Sequence, residues 1–185
     1  MSAAGLLLGT SAGRARLVQA SVAAAPFPGN RFDLVTSFDV LYSLAKPVET
    51  AAVAEMYRVL RPGGHAIINV AAMAALRGDH SVLSREQRRY SREELRTLLC
   101  QAGFQIVRLT YTNATLFVPM AVSRAWQRWR GLHPEQEADQ EIRVPAAPVN
   151  MLLTGMLRIE SMWLPYVDNP FGSSLLCLAH KPSRP

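Results

Sequence analysis

Lysine is nearly absent from this chain of 185 residues: of 20 basic side chains, only Lys46 and Lys181 are not arginine. Cysteine is scarce as well. Cys100 and Cys177 stand far apart, each in an apolar run and neither in a C-x-x-C pair. This excludes a disulfide framework and a cysteine-built metal centre. It leaves two free thiols, expected to be buried as small apolar side chains in a reducing cytoplasm. No run reaches the ~18 apolar residues that a membrane-spanning helix requires. The opening "MSAAGLLLGTSAGRAR" has an apolar piece but no basic region before it, which argues against a secretory leader.

What is present is a globular composition, 49% hydrophobic and 18% charged, at a length suited to one domain. The net charge of +6 admits anionic partners. The arginines are spread along the chain rather than clustered, so nucleic acid is not an expected partner.

Along the chain, "RLVQAS" (Arg16–Ser21) has the pattern of a short strand, followed by a loop marked by "PFPGNR". "FDLVTSFDVLYSL" (Phe32–Leu44) is apolar and β-branched without alternation, as in a strand covered on both faces that runs into a loop. Val48, Ala52, Met56, Val59 and Leu60 fall at helical spacing after Pro47, and "RPGG" stops that helix. "HAIINVAA" (His65–Ala72) is the next strand. In "SREELRTLLCQAG", Ser91 and Glu94 form a capping box, Leu95, Leu98, Leu99 and Ala102 share a face, and Gly103 ends the helix. Phe104–Tyr111 alternates as a strand. Residues 113–166 carry two helical segments around a polar stretch, and Ser173–Lys181 is a last strand. The order predicts an α/β fold with a mostly parallel sheet and a helical insertion before the last strand. Such sheets bind ligands at the carboxyl ends of their strands.

The phrases "RLVQASVAAAPFPGNRFDLVTSFDVL", "EMYRVLRPGGHAIINV" and "RRYSREELRTLLCQAGFQIVRLTYTN", in this order, resemble the class I S-adenosyl-L-methionine-dependent methyltransferases of the bacterial type. The resemblance runs from about Arg16 to Asn113 and returns weakly at Ser173. It implies a partial Rossmann-like sheet, with residues 1–112 as the carboxyl-terminal portion of the α/β core. Residues 113–172 would be a helical insertion or lid, and 173–185 the last strand and tail. It also implies S-adenosyl-L-methionine as cofactor, bordered by Ser21, Val22, Phe38, Asp39 and Val40. Serine stands at position 21 where the family carries an aspartate, which implies an uncharged and weaker hold on the adenine amino group. Read from the residues alone, Ser21 and Asp39 serve equally as turn or helix caps.

The family's D-x-G-x-G-x-G loop and ribose-binding acidic residue have no counterpart here. Gly5, Gly9 and Gly13 follow no strand. The resemblance therefore implies a fragment, a displaced start or a degenerate copy. On the acceptor side it points to His80 as a base, with Ser81 where relatives carry an aspartate; by their own chemistry Arg88, Arg89 and Tyr90 are candidates to bind an anionic acceptor, with Asn113 as a further acceptor-binding candidate. The same arginines and tyrosine also read as a polar lead-in to the capped helix. The expected acceptor is a small or lipid-like molecule. The insertion, with Trp126 and Trp129 among arginines and a stripe of Val149, Leu152, Leu153, Met156, Ile159 and Trp163, suits a lid packed on the domain. It also leaves open a membrane surface, as in a peripheral membrane protein. A non-catalytic module with the same fold is the remaining alternative. Oligomeric state is not legible in the sequence.

Overall fold

The computed structural model describes residues 18–73, 88–117, 126 and 146–183. Four strands form one sheet: β1 (Phe32–Phe38), β2 (Leu60–Ala71), β3 (Gln105–Thr112) and β4 (Ser174–His180), in the order β1-β2-β4-β3. β1 and β2 pair in parallel, while β4 lies between β2 and β3 and runs antiparallel to both. The expectation of a mostly parallel sheet thus holds for strand direction, three against one. For pairing it does not hold: one junction of three is parallel. The cause is the return path. The chain leaves β3 at Thr112 and re-enters the sheet at its partner Ser174, so β4 starts at the edge where β3 ended and must run back.

Helix α1 (Lys46–Val59) has Pro47 in its first turn and ends where Leu60 turns extended. It buries Ala52, Val53, Val59 and a carboxylate, Glu49, while Val48 of the expected face is exposed. The ammonium of Lys181 closes its carboxyl end, donating to the carbonyls of Tyr57 and Leu60 at 2.9 and 2.8 Å. A cation there opposes the negative end of the helix dipole. The "RPGG" residues bulge out of the ladder: Phe32 pairs with Leu60, but Leu34 pairs with His65. Gly63 supplies the left-handed φ of 77° that this excursion needs.

Helix α2 (Arg92–Gln101) has the expected capping box, with Ser91 accepting from the Glu94 amide and Glu94 accepting from the Ser91 amide. Leu95, Leu98 and Leu99 are buried. Against them and α1 pack Ala66, Ile68 and Val70 of β2 with Leu175, Cys177 and Ala179 of β4. Each fully buried leucine is worth about 1.5–3 kcal/mol. Cys177 is buried as expected, but Cys100 is exposed. One step past Leu99 on a 3.6-residue helix already points away from the core.

Two expectations fail at the edge. β1 is not covered on both faces, since Leu34 and Phe38 are 49% and 55% exposed. Its outer edge has no strand partner among the described residues. The described part of the expected first strand, Val18–Ser21, is exposed and forms only a bridge from Ser21 to Ala24. The chain beyond it is held by side chains instead of a ladder. Glu55 accepts from the Ala25 amide at 2.9 Å, and Arg58 donates to the carbonyls of Ala25 and Phe27.

Of the expected insertion helices, residues 114–117 and α3 (Ala147–Trp163) are helical. The apolar stripe does not pack as expected. Val149, Leu152 and Ile159 are exposed, Leu153, Met156 and Trp163 are half-buried, and only Glu160 is buried. Among the described residues no helix is long and apolar enough to cross a membrane, and no cluster of three metal-ligating side chains occurs.

Candidate functional site

The carboxyl ends of β1, β2 and β3 share one edge of the sheet. At the end of β1 the backbone turns through Asp39 in the left-handed region, φ 57°, a conformation that short polar side chains tolerate. Asn69 fixes this turn from β2. Its carbonyl accepts from the Asp39 amide and its side-chain amide donates to the Asp39 carboxylate, both at 3.1 Å. Val40 then opens a single 3-10 turn, Leu41–Ser43, that leads into α1.

Beside this turn lies an apolar cleft of about 250 Å³. Val22, Phe38 and Val40 line it together with Val35, Leu41 and Met56. A second cleft, about 280 Å³, shares Val22, Val35 and Met56 and continues along α1 to Phe27. Of the five residues assigned to the cofactor, the structure brings Val22, Phe38 and Val40 around one hollow. Asp39 stands between two of its lining residues, exposed and held by Asn69. Ser21 does not line it, and its hydroxyl accepts from the Ala23 amide at 3.3 Å. Chemically this is an apolar slot with one fixed carboxylate beside it, suited to a flat ring carrying a polar edge.

On the acceptor side, His80 lies outside the described residues. On either side of it in sequence, Ala72 and Tyr90 are bridge partners at the carboxyl end of β2. Tyr90 is buried, and its hydroxyl donates to Glu49 on the first turn of α1. Arg88 reaches the same Glu49 oxygen at 2.5 Å and donates to the Tyr90 oxygen at 3.2 Å. Arg89 donates to the carbonyl of Ala72 at 3.0 Å. Burial first, and the bond to Glu49 second, hold the Tyr90 phenol well above its usual range. Asn113 ends β3 with φ 60°, its amide 3.4 Å from the Ser174 hydroxyl. Three strand spacings, roughly 15 Å, separate it from Asp39, so the two do not meet.

Sequence reasoning passed over three polar residues that organise this edge. Asn69 is a lone amide inside "IINVAA", and Glu49 is a carboxylate three residues before Ala52 on the buried face of α1. Those placements were the available signals. Glu160 is the third. Its carboxylate accepts from the amides of Ala114 and Thr115, the Thr115 hydroxyl and the Asn169 side chain, at 2.9–3.1 Å.

The methyltransferase-domain family model matches residues 3–68, a segment that contains β1, α1 and every residue of the 250 Å³ cleft. The fold around it is that of solved methyltransferases. The match covers 66 of the chain's 185 residues, so the methyltransferase likeness is one of this segment and of the fold. The match begins before Arg16 and stops inside β2. Among solved structures, this chain is similar to an S-adenosylmethionine-dependent methyltransferase of Thermotoga maritima. Identity is 17%, over 89% of this chain and 63% of that one, with a TM-score of 0.53. It is similar to the [4+2]-cyclase SpnF at 20% identity, over 89% of this chain and 55% of that one, with a TM-score of 0.51. A Bacillus halodurans protein described as a methyltransferase gives 18% identity, 90% and 78% coverage and a TM-score of 0.50. No curated protein sequence matches. The chain spans only 55% and 63% of the cyclase and the Thermotoga protein, and at these identities the likeness is one of fold.

Proposed function

We propose that this chain takes part in S-adenosyl-L-methionine-dependent methyl transfer to a small or lipid-like acceptor, and that the cleft of Val22, Phe38 and Val40 receives the adenine end of the cofactor. That cleft is the observation that carries the reading, since it gathers at the end of β1 three residues singled out from family resemblance. The fit is partial. The apolar walls suit the ring, and the Asp39 carboxylate beside them suits a hydrogen-bond donor. Ser21 is engaged in its own turn, and the sequence has no glycine-rich loop to approach the rest of the molecule. When bound, the cofactor supplies an activated methyl group. The chain's own share is to orient: Asn69 holds Asp39, and His80 is the proposed base, its segment lying in sequence between Ala72 and Tyr90, which are bridged at the same edge.

The test is a titration of S-adenosylhomocysteine into residues 1–185, followed by amide chemical shifts. Weak, saturable shifts at Val22, Phe38, Asp39 and Val40, lost in Val40→Glu, are expected. No shift up to millimolar ligand, or shifts only around β3, would overturn the reading. One observation favours a second reading, a non-catalytic module on the same fold: Arg88 and Tyr90 are bound to Glu49 rather than turned to a ligand. Restored methyl transfer on adding a separately produced glycine-loop half of a related methyltransferase would exclude it.

A further inference from the structure

On the sheet face turned away from α1 and α2, the end of α3 and the strands β2, β4 and β3 enclose a third hollow, about 320 Å³ in volume. Ile67, Leu176 and Leu178 form its floor, and Leu164 and Pro165 form a wall. The polar side chains at its margin already have partners. Arg108 donates to the Asp168 carboxylate at 2.7 Å and to the carbonyls of Leu164, Pro165 and Val167 at 2.5–3.2 Å. The Ser161 hydroxyl donates to the Arg158 carbonyl, and Thr110 accepts from the Asn169 amide. A charged or hydrogen-bonding ligand would therefore give up its water without compensation, whereas a hydrocarbon gains by entering.

We infer that this hollow takes a single hydrocarbon chain, the tail of a lipid-like acceptor. At ~30 Å³ per group, about the share of one water molecule in the liquid, it holds roughly ten methylenes. The register gives the tail a direction. Leu176 pairs with Asn69, and Asn69 pairs with Phe38, so the floor of the hollow lies about two strand spacings, roughly 10 Å, from the end of β1. A tail lying on Leu178 and Leu176 leads its head group toward the edge that holds Asp39. Only the word acceptor rests on the methyl-transfer reading; the binding of a chain does not.

The experiment measures displacement of 11-(dansylamino)undecanoic acid from residues 1–185 by n-alkanols of increasing length, kept below their aggregation limits. One site per chain is expected. Affinity should rise about four-fold per added carbon and level off near ten to twelve carbons, when the hollow is full. Leu178→Glu should weaken probe binding at least ten-fold, while Val48→Ala, at an exposed position on α1 outside the three hollows, should leave it unchanged. Two results would overturn the inference: several weak sites without a plateau, or probe binding only when the protein sits on phosphatidylcholine–phosphatidylglycerol vesicles. The second would make the surface a bilayer contact. If S-adenosylhomocysteine fails to bind while the length plateau is seen, the cofactor reading alone falls.

Discussion

A carboxylate with no exposed surface, Glu49, sits in the first turn of α1 with Arg88 and the Tyr90 hydroxyl on one oxygen and Lys46 3.0 Å from the other. Lys46 is largely exposed and adds little. Removing the carboxylate strands the two inner partners, so Glu49→Ala is expected to lower stability by about 3 kcal/mol and Glu49→Gln by less. Urea unfolding with an unchanged slope would verify this. Tyr90 makes the same cluster sensitive to alkali. Its folded pKa is raised, so the folded state keeps the phenolic proton that the unfolded chain releases near the ordinary value of 10. The stabilisation is complete below that pH and is lost as pH rises beyond it. Melting temperature should therefore fall more steeply above about pH 10 in the wild type than in Tyr90→Phe, a difference read from paired alkaline melts. The thiols divide in the same manner. Burial pushes Cys177 up to about 12, while Cys100 is exposed. A disulfide reagent at neutral pH should titrate one thiol in the native protein and two after unfolding.

At the scale of elements, α3 is held by polar contacts at one end rather than by its apolar stripe. Arg108 grips the carbonyls beyond its last turn, and Glu160 caps the helical turn at residues 114–117. Glu160→Ala should speed hydrogen exchange at the Ala114 and Thr115 amides by about a hundred-fold, since a buried acceptor of several bonds is removed. Arg108→Ala, whose side chain is one-third exposed, should loosen α3 by about 1 kcal/mol. These contacts explain what was legible. The capping box of Ser91 and Glu94 and the proline start of α1 are local instructions, and both appear where the sequence put them, whereas α1 ends at Val59, before the expected stop at Pro62, and β2 begins at Leu60 rather than His65. The docking of α3 joins residues about fifty positions apart, through side chains that any exposed helix could carry. The stripe from Val149 to Trp163 reports only that apolar atoms lie on one side of a helix. It does not report what lies opposite. The run in β1 was misread for the same reason, because an apolar strand at an open edge has the composition of one covered on both faces. At the cleft, Phe38 and Val40 were legible because the one ends and the other follows a readable strand, while Asn69 and Glu49 were hidden inside apolar patterns.

For the whole molecule, that open edge has a cost. Among the described residues β1 has no partner along its outer edge, where Leu34 and Phe38 are exposed and Val22 and Phe27 lie nearby. Such edges recruit other strands. Light scattering should show concentration-dependent association, and Leu34→Lys should suppress it without shifting the melting temperature by more than a few degrees. The other end of the strand order carries a different consequence. β4 separates β2 from β3, yet it is the last of the four to be made, more than sixty residues after β3. On the ribosome, then, β1, β2 and β3 emerge as a sheet with an empty lane through its middle, and no pairing can join the two parts until the final strand arrives. Closure has to recruit distant sequence, which makes it slow and leaves two bare strand flanks waiting during synthesis. The cell's chaperones would meet this protein at that moment, and the interval should lengthen with every residue placed between Thr112 and Ser174.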